Sequence, residues 1–191
     1  MPIRATATSN AHATGAALPG CSGTYIVLLE VSRPRRLRIG RLGTFELPPG
    51  LYAYVGSAFG AGGLAARVGR HLRIAAHRHW HVDYVRAAAS PVAVFWYAGP
   101  AVLEHRWSAV LARLCGAPPP VPGFGASDCR CGAHLYRLPA DHPHGRLAAA
   151  LAGVAGSPAV QLTLVGGSAS RHGTVTMQSA NRPARSRTHP R

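Results

Sequence analysis

The apolar positions fall into short runs of different kinds. Gly23-Thr-Tyr-Ile-Val-Leu-Leu-Glu-Val31 is nearly continuous apolar and β-branched sequence, bounded by Gly23 and Pro34, which is the pattern of a central strand buried on both faces. Leu37-Arg-Ile-Gly-Arg-Leu42 alternates apolar with basic, as a half-exposed second strand does. Residues 43–47 add another strand before Pro48-Pro-Gly50 breaks it. A strand over 51–56 then meets a glycine-rich turn, and Leu64, Val68 and Leu72 recur every four residues as the buried stripe of a helix. Arg67 and His71, also four apart, share a neighbouring face and can point at one ligand. A short helix ending near Ala89, a strand over 91–97 and a helix over 103–114 follow. Leu103, Trp107, Val110, Leu111 and Leu114 make the core face of that helix, with Glu104 in its first turn. A Pro- and Gly-rich loop spans 115–132, His134 to Leu138 gives a last short strand, and residues 144–153 form a small Ala-rich helix.

These elements predict a single α/β (α+β) domain over 23–153, with a small, mainly antiparallel central sheet flanked by helices. Residues 1–22 lack periodicity and read as a disordered leader, and residues 154–191 as a basic disordered tail. Much of the apolar content is alanine, so the core is expected to rest on large side chains such as Tyr25, Phe45, Trp80, Phe95, Trp96 and Trp107.

Charge changes the picture more than composition does. The 191 residues carry 21 basic side chains, all arginine, against six carboxylates, for a formal net charge of +15. Such an excess favours a polyanionic partner, because arginines that neutralise phosphates release counterions. Nucleic acid, DNA first, is the expected partner. The short acidic roster (Glu30, Glu46, Asp83, Glu104, Asp128, Asp141) limits where a hard divalent cation could sit. Four cysteines without a secretory signal, and no apolar run long enough to span a membrane, point to a soluble protein of a reducing cytoplasm.

Familiar phosphate and hydrolase motifs are excluded first. Gly60, Gly62 and Gly63 do not spell G-x-G-x-x-G, no lysine exists for a Walker motif, and Ser57 is not in a G-x-S-x-G elbow. What remains is an ordered set: Gly23-Thr-Tyr25, Gly40-Arg-Leu-Gly43, Tyr52-Ala-Tyr-Val-Gly-Ser-Ala58, the Arg67/His71 helix, His79-Trp-His-Val-Asp-Tyr84, Glu104 opening a later helix, and Gly123-Phe-Gly-Ala-Ser-Asp-Cys-Arg-Cys131 with His134-Leu-Tyr136. It resembles the GIY-YIG nuclease superfamily, and most closely its Uri-type branch, long catalogued as a domain of unknown function. The resemblance covers about residues 23–138. Tyr25 and Tyr54 are farther apart than is usual in the superfamily, so a strand or hairpin is inserted between them.

The resemblance implies a metal-dependent endonuclease that hydrolyses phosphodiester bonds in DNA or another nucleic acid. It places Tyr25 and Tyr54 in the site, one of them helping to activate water. A tyrosine, whose free pKa is about 10, accepts a proton only if a cation such as Arg67 lowers that value. The resemblance further implies that Arg67 holds the scissile phosphate, that His71 relays a proton, and that Glu104 holds one Mg²⁺ or Mn²⁺. Members of the branch occur fused to a DNA-repair glycosylase, which adds DNA-repair proteins to the expected partners. Trp80 is expected in the core rather than as a base-stacking platform.

A second constellation arises from the residues alone. Cys129-x-Cys131-x-x-His134, with His77, His79, His81 or Cys115 as a fourth ligand, has the donor types of a Zn²⁺ site. The alternative is a turn capped by Ser127-Asp128 with two half-buried thiols; in a third arrangement Asp83 and Asp128 orient histidines near the cleft. Two functional readings therefore stand beside the nuclease: a nucleic-acid-binding module without catalysis, and a zinc-stabilised interaction domain.

Overall fold

The structure, a computed structural model, describes residues 13–14, 17–141, 144–154, 160–165 and 174–177. Its elements run β1 (Ala13–Thr14), β2 (Gly23–Val31), β3 (Arg35–Ile39), β4 (Gly43–Leu47), β5 (Gly50–Ala58), α1 (Gly63–Leu72), α2 (His81–Arg86), β6 (Ser90–Ala98), α3 (Glu104–Cys115), β7 (Leu135–Arg137), α4 (His144–Ala152), β8 (Val160–Leu164) and β9 (Thr174–Met177). Seven strands form one antiparallel sheet in the order β1-β9-β8-β6-β2-β5-β7, and β3 and β4 pair separately. This is the expected single α/β domain with an antiparallel sheet flanked by helices.

The continuous apolar run of β2 is explained by its place between β5 and β6. Its side chains alternate between two cores. Tyr25, Val27, Leu29 and Val31 face a layer built from α1, α2 and the β3–β4 hairpin. Ile26 and Leu28 face α3 and α4, where Trp107, Leu111, Leu147 and Leu151 are buried. A strand buried on both faces gains from every residue, at about 25 cal/mol per Å² of apolar area removed from water.

Both signature glycines answer to close approach. A Cβ at Gly23 would come within 2.1 Å of the Tyr97 carbonyl oxygen, and one at Gly56 within 2.5 Å of the Tyr25 hydroxyl. Gly56 sits directly opposite Tyr25 in the β2–β5 register, so the ring lies across it.

Three expectations are corrected. The second strand ends at Ile39, because the chain turns at Gly40, whose φ of 47° is left-handed, and Leu42 N–H bonds back to the Ile39 carbonyl at 3.0 Å. The domain does not stop at residue 153. β8 pairs with β6, burying Val160 and Leu162, while the Trp96 indole donates to Thr163 Oγ1 at 3.1 Å. Neither Phe45 nor Trp80 is fully buried; each packs only on the rim of the first core. The inserted segment between the two tyrosines is the β3–β4 hairpin, which forms its own small sheet and leaves β2 and β5 directly paired. Most of the expected leader and tail lies outside the described residues. Among the described residues, no helix is long and apolar enough to cross a membrane.

Candidate active site and neighbouring His/Cys cluster

β2 and β5 bring the two tyrosines together, with ring centroids 6.4 Å apart. α1 crosses the same face, because Leu64 and Val68 bury in the first core, and this aims Arg67 and His71 at the tyrosines. The Tyr25 hydroxyl lies 2.8 Å from His71 Nε2, both residues being buried. α3 starts at the end of the sheet and brings Glu104 in from the other side. Tyr25, Tyr54, Arg67 and Glu104 line one cleft of about 350 Å³, and His71 stands behind Tyr25. The five residues expected from the sequence thus converge.

Their electrostatics follow from burial. Desolvation lifts both tyrosine hydroxyls well above their ordinary value; Arg67 pulls the other way and is outweighed. The condition for a tyrosine to act as a free base, a hydroxyl lowered by a cation such as Arg67, is therefore not met. Burial pushes His71 down to about 4, with Asp83 opposing and Arg67 and Arg70 assisting. His71 is a neutral imidazole at pH 7. Burial would raise Glu104, but polar contacts with the His134 ring and the Ser57 side chain outweigh it and hold the carboxyl below its ordinary value. Glu104 is an anion facing the cleft.

Apolarity assigns Trp80 to the core, yet it forms part of the cleft wall. The guanidinium carbons of Arg67 and Arg70 each lie 4.3 Å from its ring centroid, and His71 packs edge-on at 5.3 Å. Trp80 and Arg67 also border an adjoining hollow of about 270 Å³ along α1, with Arg70. Asp83 is not aimed at a histidine ring. It accepts the backbone N–H groups of His79 and Trp80 at 2.8 and 3.0 Å and pairs with Arg70 at 3.1 Å, fixing the turn that presents Trp80. Ser57, His79, His81 and Asp128 line the cleft as well. For His79 and His81 the signal in the sequence is the His79-Trp-His-Val-Asp-Tyr84 block itself.

On the far side of Glu104 lies a second group. His105, Cys129, Cys131 and His134 each offer a donor atom, all within 4.8 Å of one another, and could hold a metal ion. The expected Cys129, Cys131 and His134 are brought together, but the fourth member is His105 rather than His77, His79, His81 or Cys115. His81 Nδ1 instead accepts the Gly125 N–H at 3.0 Å, and Cys115 sits at the opposite end of α3. No spacing motif links His105 to the cysteines; only the docking of the first turn of α3 against the loop reveals it. All four cysteines are free thiols. Imidazole and thiolate are the donors zinc favours over magnesium.

Fold and site together define a single-domain α/β protein with a polar, arginine-flanked cleft and an adjacent His/Cys cluster. The chain belongs to the family described as domain of unknown function DUF123, whose model matches residues 24–155. The cleft and the cluster both fall inside that span. A search of curated proteins and a search of solved structures returned no match.

Proposed function

We propose that the protein is a GIY-YIG-type endonuclease that hydrolyses phosphodiester bonds in DNA or another nucleic acid with a divalent cation. The observation that carries this reading is the convergence of Tyr25, Tyr54, Arg67 and Glu104 on one cleft, with His71 bonded to Tyr25 from behind. A cytoplasmic setting and DNA-repair partners belong to the same reading.

The division of labour follows from the chemistry. An imidazole with its proton on Nδ1 accepts at Nε2, so His71 takes the Tyr25 proton as Tyr25 takes one from the attacking water. Tyr25 thereby stays neutral, while His71 carries the proton as an imidazolium until the proton is released, a charge that burial disfavours and that Asp83 and the bound phosphate offset. Arg67 holds the phosphate and offsets charge that builds on it in the transition state. Tyr54 closes the cleft beside Tyr25 and orients the water. Glu104 fits a single Mg²⁺ or Mn²⁺, since it is ionised and faces the cleft, and Asp128 is a second carboxylate on the same wall. A cation there would polarise the phosphate and stabilise the leaving oxygen. Zn²⁺ is the ion for the separate His/Cys cluster. The hollow beside Arg67, Arg70 and Trp80 suits the phosphate and base flanking the scissile bond.

The test is a cleavage screen of supercoiled plasmid, linear duplex and RNA in Mg²⁺, Mn²⁺ and chelator. Nicking that needs the cation and disappears in Glu104→Ala supports the reading. Salt-sensitive binding with no cleavage under any condition favours the non-catalytic binding module instead.

A further inference from the structure

The long connection between α3 and β7 has almost no regular structure, yet it supplies a wall of the cleft through Gly125, Ser127 and Asp128. Loops of that length in a compact domain need a means of being held. Phe124 anchors the middle of this one in the core. Its end is tied down by Ser108 of α3, whose hydroxyl donates to the Ala133 carbonyl at 2.8 Å, and by Tyr136, which donates to the same oxygen. Between these anchors stand Cys129, Cys131 and His134, facing His105.

Two distances within the cluster are close to those of a closed metal site, and all four donors lie within 4.8 Å of one another. With Zn–S near 2.3 Å and Zn–N near 2.0 Å, the donors of a tetrahedral zinc site lie about 3.3–3.8 Å apart. His105 Nδ1 is 3.2 Å from Cys131 Sγ, and Cys129 Sγ is 3.5 Å from His134 Nε2. Each histidine therefore presents one nitrogen inward. The other nitrogen of His134, Nδ1, is buried and lies 3.0 Å from Glu104 Oε1, although off the line of a well-formed hydrogen bond. Carboxylates behind zinc-bound histidines fix the ring and its tautomer.

We propose that His105, Cys129, Cys131 and His134 bind one structural Zn²⁺, which staples the 116–134 loop to α3 and, through His134, sets the carboxylate of Glu104 at the cleft. The zinc assignment stands apart from the nuclease reading; only the catalytic consequence of placing Glu104 rests on it. With Oε1 engaged by His134, the second oxygen remains for the cleft, because an ionised carboxylate has acceptor sites to spare. The site is closed: four protein donors leave no open position for water, unlike a catalytic zinc.

The experiment is zinc content and affinity of the full chain, measured by elemental analysis and by competition with a chromogenic chelator. One zinc per chain is expected. Co²⁺ in its place should give the intense visible bands of a tetrahedral site together with thiolate charge-transfer absorption. Cys129→Ser and Cys131→Ser should each lose both signals. Because a cysteine variant could fail to fold, His105→Ala, at an exposed position, serves beside them and should weaken zinc while the far-ultraviolet spectrum is kept. Glu104→Ala should weaken zinc about 10- to 100-fold, the usual effect of removing the partner of a metal-bound histidine, while Arg67→Ala leaves it unchanged. Zinc affinity equal in the wild type and in His105→Ala and Cys131→Ser would overturn the site. Tight zinc indifferent to Glu104→Ala would overturn the link to the cleft, and neither result depends on whether DNA is cut.

Discussion

Gly56 shows how a signature residue can be explained without reference to chemistry. The Tyr25 ring crosses it so closely that a methyl group would lie 2.5 Å from the hydroxyl and 2.7 Å from Cζ. Gly56→Ala should therefore cost about 1–3 kcal/mol by overpacking and displace Tyr25 from His71; urea unfolding gives the first effect and loss of nicking the second. His71 yields a pH prediction. Its imidazole has an ordinary value of about 6.5 in the unfolded chain and is pushed down to about 4 by burial. Above pH 6.5 both states are neutral and the group contributes nothing. As pH falls from 6.5 toward 4 the unfolded chain takes up a proton that the folded one refuses, so stability declines, by roughly 3 kcal/mol in all. His81, also lowered by burial, acts in the same direction. The difference between wild type and His71→Gln across that window isolates the His71 part, and equal slopes would show that His71 titrates normally.

At the scale of elements, the strands with plain patterns are legible in the sequence: the unbroken run of β2, the alternation of β3, and, among helices, the four-residue stripe of α1. β8 is not, because Val160-Gln-Leu-Thr-Leu164 is a short alternation set among glycine, serine and arginine, and its value comes from an open edge of β6 that only the assembled sheet provides. Trp80 is misplaced for a related reason. Apolarity predicts burial, while two arginines stacked on the ring make a half-exposed position favourable. Of the candidate site, Tyr25, Tyr54, Arg67, His71 and Glu104 are legible through the ordered motifs. His105 needs the docking of α3 against a distant loop. Two predictions belong here. A chain ending at residue 154 loses the burial of Val160 and Leu162 and should be destabilised by at least about 3 kcal/mol, read as a lowered urea midpoint. Arg86, buried in α2, donates to the carbonyls of His71, Leu72 and Ala89 and so holds the end of α1 against α2. Arg86→Met should cost about 2–4 kcal/mol through the carbonyls left unpaired, with an unchanged melting temperature arguing against that role.

For the whole molecule, charge and topology act together. A net charge of +15 favours contact with polyanions, but it does not single out a site. The fold supplies one, with Tyr25 and Tyr54 from the sheet, Arg67 from α1 and Glu104 from α3 lining a single cleft. Residues 178–191 carry four arginines and no acid, and they follow the last strand. Removing only those residues should leave folding intact while weakening DNA binding, and the salt slope should fall by roughly 0.9 for each phosphate that these arginines neutralise.

The most direct measurement is nicking of supercoiled plasmid, in Mg²⁺ and in Mn²⁺, by the wild type and by Tyr25→Phe, Arg67→Ala and Glu104→Ala, each checked for native circular dichroism. The account predicts nicking by the wild type and a loss of at least about 100-fold in every variant. A wild type that never nicks, or nicking that survives all three changes, would contradict it.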